Sequence, residues 1–146
     1  MTRIARMLAV VALAVAATLS LGACSGSGAN GGPIESRDWQ AIRYVDASGT
    51  LKDAFVTVPL VARFEGGTVA GAAGCNSYTG SYTLAAEKLT VTGLTASAYR
   101  CDAYATEGQT LFLAALPNAA TFAVSGSQLT IFDGAGSEIL RFKEKV

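Results

Sequence analysis

From residue 38 onward the chain alternates apolar and polar positions with a period of two, broken by short glycine-bearing turns. That is the pattern of half-buried antiparallel strands. Residues 38–45 read as a first strand carrying Trp39, Ile42 and Tyr44, and their imperfect alternation predicts a bulge or burial on both faces. Ser48-Gly49 opens a loop, and Pro59 suits a strand edge or start. Residues 60–64 place Leu60, Ala62 and Phe64 on one face, Glu65-Gly66-Gly67 turns the chain, and 68–72 return as the partner strand. The small residues there let other backbone come close near Gly71 and Gly74. Residues 77–84 show the cleanest pattern, with Tyr78, Gly80, Tyr82 and Leu84 on one face and Ser77, Thr79, Ser81 and Thr83 on the other. After a turn at 85–87, residues 88–92 return with Leu89 and Val91 inward.

Residues 94–101 read as a loop. The period then changes to that of a helix ending before Pro117, with Tyr104, Leu111, Phe112, Ala115 and Leu116 on one face. Two starts compete: Asp102 as the N-cap, or Thr106 with Gln109 as a capping box. Gly108 inside this helix costs about 1 kcal/mol against alanine and permits close packing on a sheet. Three more strands complete the chain, at 120–124 (Phe122, Val124), 128–132 (Leu129, Ile131) and 138–143 (Leu140, Phe142). A single helix cannot cover about eight short strands, so the sheet must curl on itself. The expected fold is mostly β (α+β): a curled antiparallel meander or half-open barrel with the helix packed on it.

The amino end has a different character. Arg3 and Arg6 precede a nearly unbroken apolar run over 7–21, followed by Leu21-Gly22-Ala23-Cys24, which resembles a bacterial lipobox. The expected division is a lipoprotein signal peptide at 1–23, a lipidated Cys24 with a flexible Gly/Ser tether over 24–36, and a folded domain at 37–146. A plain secretory signal with an unmodified cysteine is the alternative. Acyl chains such as palmitate on Cys24 would make the membrane a partner and place the domain in the bacterial cell envelope, on the periplasmic or extracellular side.

Charge and composition narrow the chemistry. Eleven basic residues balance eleven acidic ones, and removing Arg3 and Arg6 leaves a mature chain of about −2. No basic patch stands out, so no nucleic-acid partner is expected. Histidine is absent, which removes Ser-His-Asp, Cys-His and His-metal sites together. No catalytic residue, metal or cofactor is expected, and the chain reads as a monomer and not an enzyme. With Cys24 given to lipid, Cys75 and Cys101 remain. Export favours a disulfide between them, against two buried free thiols or a reactive pair.

The residues Gly71-Ala72-Ala73-Gly74-Cys75-Asn76, then Tyr78-Thr79-Gly80-Ser81-Tyr82, then Leu89-Thr90-Val91, resemble the META domain of HslJ-like heat-shock proteins. The match runs on through Cys101, Glu107 and 111–116 to Leu129-Thr130-Ile131, with Trp39 in the place of the family's opening tryptophan. The motif residues are thus Gly71, Gly74, Cys75, Asn76, Gly80 and Tyr82. This chain has Ser97-Ala98-Tyr99-Arg100-Cys101 where relatives often have Thr-x-Met-x-Cys. The resemblance implies a small lipocalin-like domain, often on bacterial lipoproteins, connected in relatives with heat shock and novobiocin resistance.

Single residues carry two readings each. Asn76 binds a ligand or bonds local backbone; Asp102 and Glu107 form an acid/base pair or cap a helix. Trp39, Tyr78, Tyr82 and Phe122 line a ligand cavity or pack the core. The expected function is a lipid-anchored, non-enzymatic envelope domain that supports stress or drug tolerance by binding a protein or a small apolar ligand. Inhibition of a lysozyme-type cell-wall hydrolase and lipocalin-like carriage of a small ligand are the alternatives.

Overall fold

The computed structural model of the chain describes residues 33–146. The expected signal peptide, Cys24 and most of the tether lie outside the described residues. Nine strands and one α-helix follow in order: β1 (Asp38–Val45), β2 (Leu51–Asp53), β3 (Val61–Glu65), β4 (Thr68–Ala73), β5 (Asn76–Ala85), β6 (Lys88–Ala96), α1 (Ala103–Ala115), a 3-10 turn (Leu116–Asn118), β7 (Thr121–Ser125), β8 (Gln128–Phe132) and β9 (Glu138–Glu144).

All neighbours pair antiparallel, and β9 returns to pair with β1, so the curl closes completely into an eight-stranded barrel. The short β2 is added on the far half of β1, pairing Arg43 with Asp53 and Val45 with Leu51. Closure removes the exposed edges of an open meander. It depends on β1, whose first half pairs with β3 and whose whole length follows β9. The expected irregularity in this strand is a register shift against β9 between Ala41 and Arg43. That extra residue lets β1 bend and exchange β3 for β2.

The two tightest glycines sit where small residues were expected. A Cβ on Gly71 would collide with the Val61 carbonyl oxygen, and one on Gly74 (φ +66°) would lie 2.8 Å from the Ala105 carbonyl oxygen. The first lets β3 and β4 approach; the second lets the β4–β5 corner touch the start of α1.

Two local expectations change. Strand β6 runs on to Ala96, through what alternation alone assigns to a loop. The alternation is lost because Ser81 faces Thr92 while Thr79 faces Thr95, so Gly93 and Leu94 stand opposite Gly80 alone. Gly93 has φ +64°, the left-handed geometry of a glycine bulge. The helix buries Phe112, Ala115 and Leu116 of the expected face, but its first turn is rotated from it. Its buried residues are Ala105, Gly108, Phe112 and Ala115, and Tyr104 is exposed. Small residues win the inward face because α1 lies close on Val58 and Leu60, 3.3 and 3.5 Å from where a Gly108 Cβ would stand. Asp102 is the N-cap, its Oδ1 accepting from the Ala105 N–H at 2.9 Å.

The barrel interior is filled. Trp39, Tyr44, Phe64, Tyr82, Leu89, Phe122, Leu129 and Phe142 are all buried, and α1 sends Phe112 among them, edge-on to Tyr78 at 5.6 Å and Phe142 at 6.1 Å. The stretch before β1 is packed as well. Ile34 is fully buried, its carbonyl accepts from the Trp39 indole N–H at 2.8 Å, and the Ser36 N–H donates to Phe64 at 3.1 Å. Packing against the barrel therefore begins at Ile34 among the described residues.

Candidate functional site

Strand direction places the chemistry of the motif at one end of the barrel. The chain arrives beside Phe64, near the β3–β4 turn, where Glu35 bridges to Phe64. Strand β4 runs away from that turn, from Thr68 to Ala73, and its corner with β5 at Gly74-Cys75 lies at the other end. Strand β6 also finishes there, Ala96 facing Tyr78, and α1 starts there. Cys75, Asn76, the 97–101 loop and the helix N-terminus thus meet at the end remote from the incoming chain.

Cys75 and Cys101 form a disulfide with Cα atoms 5.6 Å apart. Neither sulfur is a free thiol, so the reactive-pair reading has no group to act.

Asn76 is the only buried polar side chain among the described residues, 5% exposed. An amide has two donor hydrogens and two acceptor lone pairs, and all are used. Nδ2 donates to the Tyr99 carbonyl at 3.1 Å and to Gln109 Oε1 at 2.8 Å. Oδ1 accepts from the Tyr99 N–H at 2.7 Å and the Ser97 hydroxyl at 2.8 Å. The Ser97 N–H also donates to Ser77 at 3.0 Å. Asn76 does bond backbone, but the backbone of a loop more than twenty residues away, which residue-type preference at a corner does not reveal. A fully occupied amide has nothing left for a ligand.

What the brace leaves outside is the side chains. Tyr99 is 75% exposed, and the neighbouring Arg100 is exposed with no ion-pair partner among the described residues. A cleft of about 420 Å³ runs between Tyr99, Arg100, Thr106 and Gln109. At the same end Phe55 packs edge-on to Tyr104 with ring centroids 4.9 Å apart, and the adjacent Val56 is fully exposed. Sequence reasoning left Phe55, Val56, Tyr99 and Arg100 out of the candidate residues, because nothing in spacing says that Asn76 holds the loop at Tyr99 or that Phe55 meets Tyr104.

The other singled-out residues lie elsewhere. Trp39, Tyr78, Tyr82 and Phe122 are core. The Tyr78 hydroxyl donates to the Val61 carbonyl at 3.0 Å, and burial raises its pKa. Tyr82 donates to the Glu35 carboxylate, and its pKa is pushed up to about 12 by burial first and by that hydrogen bond second. Gly80 makes room for the Leu94 side chain across the bulge. Asp102 caps the helix, and Glu107 lines a separate shallow cleft of about 490 Å³ with Asp46, Lys52, Thr110 and Leu111. Asp102 and Glu107 share no site. In that second cleft Asp46 is held well below the usual carboxylate range by hydrogen bonds from Ser48 and then from Lys52.

The family model of the META domain matches residues 33–146. Among solved structures, an NMR structure of a protein from Burkholderia xenovorans is similar over 77% of this chain and 84% of its own, with TM-score 0.64 and 21% identity. A second NMR structure gives TM-score 0.56 at 18% identity, over 75% of this chain and 90% of that one. A crystal structure of a DUF4847-family protein from Bacteroides vulgatus gives TM-score 0.54 at 14% identity, covering 76% of this chain and 94% of that one. At these identities the likeness is one of fold alone. No curated protein matches the chain.

Proposed function

The chain belongs to the META domain family, and on that premise we propose that it is a lipid-anchored, non-enzymatic domain of the bacterial cell envelope that binds a protein partner on its outer surface and so supports tolerance of envelope stress or drugs. One observation carries this reading: the barrel interior is filled by its own side chains, Tyr82, Leu89, Phe122, Leu129 and Phe142 among them. A carrier of lipocalin type needs an open apolar chamber, and these rings and branched chains occupy it. Recognition is left to the outside, and the exposed apolar groups Val56, Tyr99 and Tyr104 stand at the end remote from the incoming chain. A tether at Cys24 would hold the domain by one end and present the other.

Two measurements test the anchor and the role. Radiolabelled palmitate fed to cells is expected to mark the protein and fractionate with membranes, and Cys24→Ser is expected to abolish both. Deletion is expected to lower survival under heat or envelope-acting drugs, with rescue by the wild-type chain and not by Cys24→Ser. Unlabelled protein in the cytoplasm sinks the anchor; unchanged survival sinks the role.

A second reading, inhibition of a cell-wall hydrolase, is favoured by the 97–101 loop. An inhibitor must project a rigid loop into an enzyme cleft, and this loop is exposed and fixed from beneath by Asn76.

A further inference from the structure

We infer that the 97–101 loop is a preorganised recognition element whose Tyr99 and Arg100 enter the carboxylate-bearing cleft of a glycan-cleaving hydrolase. This rests on the inhibitor reading and names the residues and the partner chemistry.

The first support is rigidity. A flexible loop must lose backbone freedom when it is ordered on binding, and a loop whose backbone is already fixed avoids that cost. Here both backbone groups of Tyr99 are bonded to one buried amide, at 2.7 and 3.1 Å. Ser97 is tied to Ser77, and Cys101 to Cys75 through sulfur. Gln109 of α1 holds the far side of Asn76 at 2.8 Å, so strand, loop and helix move as one body.

The second support is what this frame displays. Tyr and Arg are the side chains most often found to dominate binding energy at protein interfaces, with tryptophan. At adjacent positions here they are both exposed and make no side-chain bond among the described residues, although every neighbouring polar group of the brace is satisfied. The Phe55–Tyr104 pair and Val56 supply an apolar shoulder at the same end.

The third support is charge. Arg100 offers a planar fork of donors with no carboxylate paired to it within the described residues, and that fork matches a carboxylate in two parallel hydrogen bonds. Enzymes that cleave glycosidic bonds carry a pair of carboxylates flanking the scissile bond. Arg100 fits that pair, and the Tyr99 ring fits the adjoining surface that accepts a sugar ring, apolar on its faces with a hydroxyl at its tip.

The test uses the full chain in detergent against chicken-type lysozyme and a bacterial muramidase, assayed by turbidity of cell-wall suspensions. Inhibition of at least one enzyme is expected. Tyr99→Ala and Arg100→Ala are each expected to weaken it by about tenfold or more, and Arg100→Glu to abolish it. Arg100→Lys should recover only part, because the fork is lost. Both side chains are exposed, so the thermal midpoints of these variants should match the wild type, which separates lost contact from lost fold. No inhibition of either enzyme by the wild-type chain overturns the inhibitor reading and the inference with it. Inhibition left unchanged by Tyr99→Ala and Arg100→Glu overturns the inference and leaves the inhibitor reading standing.

Discussion

At the scale of single residues, the burial of Asn76 decides more than its chemistry suggests. Its amide holds four partners, and removing it leaves the Tyr99 N–H and carbonyl, the Ser97 hydroxyl and Gln109 without theirs. Each such hydrogen bond contributes about 0.5–1.5 kcal/mol net. Asn76→Ala is therefore expected to lose about 3 kcal/mol in urea unfolding and to speed hydrogen exchange at the Tyr99 amide. Gly74→Ala should lose about 2–4 kcal/mol by the same measurement, because left-handed backbone and the Ala105 carbonyl oppose a side chain together. Tyr82 gives a pH signature. Its folded pKa of about 12 stands above the ordinary value of 10.0, so its contribution is fully present below pH 10 and is lost as pH rises through 12. Urea midpoints should fall across that window, and Tyr82→Phe should flatten the fall. The small residues at Gly71 and Gly74 were legible as places of close approach; the neighbour each one meets is tertiary information that spacing does not carry.

At the scale of elements, the alternating strands were legible because one face of each is core and the other solvent. Strand β8, Gln128–Phe132, falls where its period-two pattern puts it. The short β2 was not legible, since three residues with Lys52 and Asp53 both exposed hold no pattern to read. The tail of β6 was hidden by the bulge at Gly93, which moves Leu94 out of phase. Tyr104 was placed on the buried helix face by its helical spacing from Leu111 and Ala115, whereas the first turns of α1 put Ala105 and Gly108 against the sheet. The Cys75–Cys101 bridge joins elements 26 residues apart, and opening it frees a loop worth roughly 3–4 kcal/mol in the unfolded chain. Reduction, or Cys75→Ser with Cys101→Ser, should lower stability by about that amount. The native circular dichroism should survive, because the barrel closes through β1 and β9 without the bridge.

For the whole molecule, closure and filling were legible only in part. The sequence showed more strands than one helix can cover; that β9 reaches β1 is a matter of register. Truncation tests where the unit begins. Ile34 is fully buried beneath Trp39, so Ile34→Ala should cost about 2–5 kcal/mol, and a chain starting at residue 37 should be destabilised at least as much. An unchanged thermal midpoint in that shortened chain would mean that 33–36 only lie against the barrel.

Those four residues lead directly into β1, the strand shared by β2, β3 and β9. The corner at Cys75 lies at the opposite end. Tension applied between these two points runs along the strand axes, so many ladder hydrogen bonds must slide and fail together instead of unzipping one by one. A domain pulled this way resists a mechanical load far better than its equilibrium stability suggests. Pulling between residue 33 and Cys75 in an optical trap should need a markedly higher force than pulling between residue 33 and Val146, because the carboxyl end of β9 lies beside the start of β1, where Glu144 faces Trp39.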